Sequence, residues 1–172
     1  MTKHSVVVQL AYATLATTAA LVATSCGYRS GFGNPHGIRS VAIQTVDDQS
    51  FRREIAALLT KRIGSDLTRY TGLVPGRHGS ADAVLEVTVL SAPGRSVVEG
   101  DGGSIREGAI ALDARARLIS RSGKVLSDRR YADWAEYRPS VGETRSGALD
   151  EAAADLARKI LIGIDANFLD ER

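Results

Sequence analysis

Apolar positions recur along the chain with two periods, and their order lays out the elements. Residues 38–46, Ile-Arg-Ser-Val-Ala-Ile-Gln-Thr-Val, are rich in β-branched side chains and have the length of a strand. Asp47, Asp48, Gln49 and Ser50 then offer candidate N-caps. Behind them Phe51, Ile55, Leu58, Leu59, Ile63 and Leu67 fall at three- and four-residue steps, one face of a helix. Gly72 marks its stop, because glycine takes the left-handed closing position without strain.

Leu73 to Arg77 reads as a short strand. Ala83 to Leu90 then alternates, with Ala83, Leu85, Val87 and Val89 on one face and Glu86 and Thr88 on the other. Pro93 to Glu107 is expected to be a Gly-rich, mixed-charge excursion. A second alternating run sets Ile110, Leu112, Ala114, Ala116 and Leu118 inward against Asp113, Arg115 and Arg117 outward. Arg121-Ser122-Gly123-Lys124 suits a tight hairpin, and Val125 to Tyr137 pairs back until Pro139 stops it. Tyr131 and Tyr137 share one face of this last run. Trp134, on the other, is expected to cap the helix-packed core, the alternative being an outward position against a partner. Ser140 to Glu143 has capping-box spacing, and Leu149, Ala152, Ala153, Leu156, Ile160, Ile164 and Phe168 form the stripe of a final helix. The pattern predicts an α+β fold in the order β-α-β-β-β-α. Its sheet is expected to be mostly antiparallel, four- to five-stranded, with two helices packed on one face.

The residues before this pattern decide where the protein resides. Lys3 is followed by an uncharged, apolar and small stretch through Val22, the form of a secretory leader. Thr24 and Ser25 then precede Cys26, the one cysteine of the 172 residues. This looks like a bacterial lipobox, although Ala23 stands where the motif most often has Leu. Residues 1–25 are thus expected to be a lipoprotein signal peptide, Cys26 the acylated residue, residues 26–37 a lipid tether, and 38–172 one domain. An ordinary secretory signal followed by a free thiol, or a short anchor that stays, is the other reading, and it leaves the lone cysteine without a partner.

The formal net charge is +2, of which Lys3 supplies one unit, so the remainder is close to neutral and no nucleic acid-binding stripe is indicated. His36 and His78 stand in Gly-rich loops with no ligand at metal spacing. No G-x-S-x-G elbow occurs, and Gly100 to Ser104 lacks the Lys and the helix of a phosphate loop. Catalysis is not expected, nor any metal or cofactor beyond the covalent lipid on Cys26.

Taken together, the layout resembles the LptE family of lipopolysaccharide-assembly lipoproteins. The resemblance rests on Cys26-Gly27-Tyr28, the entry strand Ile38 to Ile43, Glu54 to Thr60, Ala83 to Val87, the hairpin Gly123 to Leu126, the aromatic stretch ending at Tyr137 and the alanine-rich last helix. Gln44 and Val46 depart from the proline- and phenylalanine-containing version common in the family. The resemblance implies an outer-membrane lipoprotein, anchored from the periplasmic side, that plugs an LptD-like β-barrel, helps it assemble and helps deliver lipopolysaccharide to the outer leaflet. A lipoprotein regulator or assembly factor of a cell-wall synthase or secretion pore is the competing reading. Up-and-down strands also place Arg95, Arg106, Arg138 and Arg145 at one end, where guanidinium groups could meet lipopolysaccharide phosphates or the barrel wall, the alternative being four solvated arginines each near an acid, Glu99, Glu107, Glu136 or Glu143.

Overall fold

The computed structural model describes residues 37–44, 46–49, 53–99, 103 and 105–167. The expected leader, Cys26 and nearly all of the tether lie outside these residues, as do Ser50, Phe51 and Phe168. In order come β1 (Ser40–Ile43), β2 (Asp47–Asp48), α1 (Arg53–Thr71), β3 (Val74–Pro75), β4 (Ala83–Ser91), β5 (Gly94–Glu99), β6 (Ile105–Ser120), β7 (Val125–Tyr137), a 3-10 turn (Pro139–Val141) and α2 (Arg145–Asn167).

The seven strands form one mixed sheet. β1 pairs in parallel with β3 and β4, and β2 in parallel with β4, whereas β4, β5 and β7 all run antiparallel to β6. The expectation of a mostly antiparallel sheet holds for the long strands only. α1 carries the chain back to the end where β1 started, so the next strands run parallel to β1. Asp47 and Asp48, expected as helix caps, pair instead with Thr88 and Val89 as β2.

β4 and β5 follow each other along the same edge of β6, opposite Asp113–Ser120 and Ile105–Ile110 respectively. The register shifts near the end of β4, between Val89 and Ser91, and between the two strands Pro93, which has no N–H to offer, accepts the Ala111 N–H through its carbonyl at 3.0 Å. The segment expected as a loose excursion is therefore a strand, β5, joined to the first residues of β6.

The core lies between the sheet and the two helices. Ile55, Leu59, Ile63 and Leu67 of α1 and Leu156, Ile160, Leu161 and Ile164 of α2 are buried against Leu85, Val87, Ile110, Leu112 and Leu118. Truncating one of the large members to Ala would cost about 2–5 kcal/mol. Four buried alanines, Ala148, Ala152, Ala153 and Ala157, let α2 lie close to its neighbours. Arg62 of α1 reaches Asp150 of α2 at 2.5 Å. Gly72 closes α1 with φ +66°, its N–H on the Thr68 carbonyl at 3.1 Å. The cap of α2 differs from the expected Ser140 box. Thr144 Oγ1 accepts the Gly147 N–H at 3.1 Å, while Glu143 turns back to the Arg138 N–H at 2.8 Å.

Candidate functional site

The two faces of the sheet differ in chemistry because side chains alternate along each strand. Even-numbered residues of β6 from Ile110 to Leu118 enter the core, and the intervening ones look outward. In the middle of the outward face, Arg115 stands directly opposite Arg130 in register. Like charges so placed repel, and each avoids the other diagonally: Arg115 forks onto Asp128, with both contacts at 2.6 Å, and Arg130 onto Asp113. Arg117 bridges Glu86 at 3.2 Å and Asp128 at 3.6 Å. Three guanidinium groups and three carboxylates thus neutralise each other across β4, β6 and β7. The Arg115 fork draws the Asp128 carboxyl below its usual range.

Beyond the ladder the outward face becomes apolar. A groove of about 360 Å³ is lined by Pro93, Arg95, Ala111, Ala132 and Trp134, among others. Trp134 is 59% exposed there, which corrects its expected place as a cap of the helix-packed core. β7 runs without a register shift from Ser127 to Tyr137, so Trp134 must face opposite to Tyr131 and Tyr137. The tyrosines face the helices: Tyr137 is buried, and Tyr131 packs partly buried against the core. Burial pushes the Tyr131 phenol above its ordinary value.

The four arginines singled out from sequence do occupy one end of the sheet, but they do not form one cluster. Arg95 pairs in register with Ala109 on the outward face and lines the Trp134 groove. Its neighbour Gly94 lies against Arg145 on the helix side, with the guanidinium Nη2 3.5 Å from where a glycine Cβ would stand. Arg106 is exposed near the start of β6, and Arg138 leaves β7 to bond Glu143 at 3.4 Å. That pairing, with the Arg138 N–H first, holds the Glu143 carboxyl below its usual range. Among the described residues no carboxylate pairs with Arg95, Arg106 or Arg145. The groove beside Arg95 escaped the sequence reading, although the even-odd phase of Trp134 against the two tyrosines was its signal. No group of three or more potential metal ligands occurs among the described residues.

A mixed sheet packed on one face against two helices, with a balanced charged outer face, defines a small α+β domain. The family model LptE, described as lipopolysaccharide-assembly, matches residues 38–162, and the chain belongs to that family. Among solved structures the fold is similar to that of a hypothetical protein of Chlamydia trachomatis, with TM-score 0.58 and 12% identity over 77% of this chain and 98% of that one. It is also similar to lipoprotein B of Nitrosomonas europaea, with TM-score 0.56 and 12% identity over 84% and 94%. A minor lipoprotein of Acinetobacter baumannii gives TM-score 0.51 and 17% identity over 76% and 94%. No curated protein matches the chain.

Proposed function

We propose that this chain is a non-enzymatic lipoprotein subunit of the lipopolysaccharide-assembly machinery, acylated at Cys26, held at the outer membrane and seated in an LptD-like β-barrel. There it helps the barrel assemble and lipopolysaccharide reach the outer leaflet. The match of residues 38–162 to the LptE family carries the reading. Two structural features support it. The interior of a membrane barrel is polar, and the sheet presents to its surroundings a ladder of charges already neutralised in pairs, which can enter such a lumen without stranding an ion. At the far end Arg95, Arg106 and Arg145 have no carboxylate partner among the described residues, and guanidinium is the donor type that suits phosphates on a lipid headgroup.

The experiment is a tagged pull-down from detergent-solubilised outer membrane with mass spectrometry of the co-purifying proteins. A large β-barrel at about one-to-one is the expected result. A cell-wall synthase or a secretion pore in its place would overturn the reading. Reversing Arg95 and Arg106 to Glu together should weaken lipopolysaccharide binding in vitro with the circular dichroism spectrum unchanged. Undiminished binding would remove the arginine end from the mechanism.

A further inference from the structure

The opposite end of the sheet, where the described chain begins at Gly37, carries charge of a different kind. It is built from residues 37–40, 76–83 and 120–126, held in line by register and by hydrogen bonds. Ala83 lies between Val41 and Ser120 in register, the Arg121 N–H donates to the Asp82 carbonyl at 2.8 Å, and the Asp82 N–H donates to the Ser40 carbonyl at 3.1 Å. Asp82 is the only acid in these three segments, against Arg39, Arg77, Arg121 and Lys124.

That single carboxylate is already occupied. Its Oδ2 accepts the Arg39 N–H at 2.9 Å, the Ser40 N–H at 3.0 Å and the Ser40 hydroxyl at 3.0 Å. Among the described residues no carboxylate pairs with Arg77, Arg121 or Lys124, and all three are exposed. The outward face, by contrast, pairs every one of Arg115, Arg117 and Arg130. Beside these cations lies a cavity of about 420 Å³ lined by Gly37, Ile38, Asp82, Ser120, Arg121, Ser122, Lys124 and Leu126, in which Asp82 is the one acid.

The chain that precedes this end says what it faces. Cys26 lies about a dozen residues before Gly37, a span of at most ~40 Å when fully extended. If Cys26 is the lipid anchor, as proposed above, this end is the part of the domain tied to the bilayer by the shortest stretch of chain. We propose that it is a membrane-docking surface: Arg77, Arg121 and Lys124 seat on the phosphates of anionic headgroups in the leaflet that holds the anchor, which leaves the arginine end at the other end of the sheet free to enter the barrel. Short-range attraction of this kind is worth about fivefold in partition per basic residue and is screened by salt.

The test uses the full acylated chain reconstituted into vesicles of phosphatidylglycerol with phosphatidylethanolamine, or of phosphatidylcholine alone. Cys26 being the one cysteine, Ser122→Cys or Ser140→Cys supplies a single free thiol for a fluorophore, and a headgroup nitroxide lipid serves as quencher. The label at Ser122 should be quenched in the anionic vesicles, the label at Ser140 should not, and R77Q/R121Q/K124Q or 0.5 M salt, which shortens the Debye length to about 4 Å, should relieve the quenching. Equal quenching at both positions, equal quenching on phosphatidylcholine, or a triple variant without effect would overturn the proposal. The mass of the N-terminal peptide reports acylation separately. An acylated, vesicle-bound chain with Ser122 unquenched overturns the docking alone; a chain neither acylated nor bound overturns the anchor as well.

Discussion

Gly163 of α2 makes room for the ring of Tyr131 in β7. A Cβ at that glycine would stand 2.6 Å from the ring's Cε1 and 2.8 Å from Cζ. The same device recurs within the sheet, where Tyr137 lies over Gly108, its directly opposite partner in register. Both contacts place an aromatic ring on backbone, so neither side can yield by rotating a flexible chain. G163A and G108A should each destabilise the protein by about 1–3 kcal/mol through overpacking, read as a fall in the urea midpoint. Adding Y131A to G163A should cost less than the sum of the two single changes, since the clash is then gone. Strict additivity would show that the ring and the glycine are not coupled.

The beginning of α2 can be located by substitution. Thr144 Oγ1 holds the Gly147 N–H, so T144A should lower stability by about 1 kcal/mol. S140A, at the position that sequence spacing favoured, should leave the thermal midpoint unchanged. The opposite ranking would move the helix start back to the 3-10 turn.

Among the described residues β7 pairs only with β6 and leaves a long strand at the sheet's edge. Long exposed edges invite pairing with other chains. Here Lys159 of α2 donates to the Ala132 carbonyl at 3.2 Å and pairs with Asp133 at 3.1 Å, while Asp133 Oδ1 accepts the Trp134 N–H at 2.8 Å. The side chains thus occupy the strand's own backbone groups. K159A should lower stability, because it leaves the Asp133 carboxylate, only 11% exposed, without its cation, and should raise self-association on size-exclusion chromatography with rising protein concentration. A variant that stays monomeric would show that the cap does not guard the edge.

Stability should fall on both sides of neutral pH. The carboxyls of Asp82, Asp128 and Glu143 are all held below their ordinary values of 3.8, 3.8 and 4.5, Asp82 chiefly by the Arg39 backbone N–H. Their contribution is complete above those values and is lost as pH falls through the lower folded ones. The Tyr131 phenol is displaced upward from 10.0 by burial, so its contribution is complete below that value and is lost as pH rises past it. Denaturant midpoints measured from pH 2 to pH 11 should show both declines, and Y131F should abolish part of the alkaline one only.

Much of the fold was legible along the chain. Strict alternation in β4 and β6 assigned their inward residues because a side chain on a strand has only two faces to choose from, whereas in β7 Trp134 was expected on the wrong one. The 3.6-residue stripe of α1 and its closing Gly72 were equally plain, being local properties. The parallel start of the sheet was implicit in a strand-helix-strand order, which returns the next strand in the first one's direction. β5 was hidden because Gly94 to Glu99 alternates weakly; what makes it a strand is the free edge that β6 offers beyond the end of β4.

At the candidate site the same division holds. Spacing alone brought Arg95, Arg106, Arg138 and Arg145 to one end, since antiparallel strands of matched length must turn there. Only the register could separate Arg95 onto the outward face from Arg145 on the helix side, and assign Glu143 to Arg138. The diagonal exchange between Arg115, Arg130, Asp113 and Asp128 was likewise invisible, because it depends on which residues of two strands stand opposite. What the sequence determined by itself is which residues prefer burial and where the chain turns, properties of single segments. Which charges neutralise one another and which remain free, and therefore which surfaces can meet a phosphate, was decided by pairing between segments far apart in the chain.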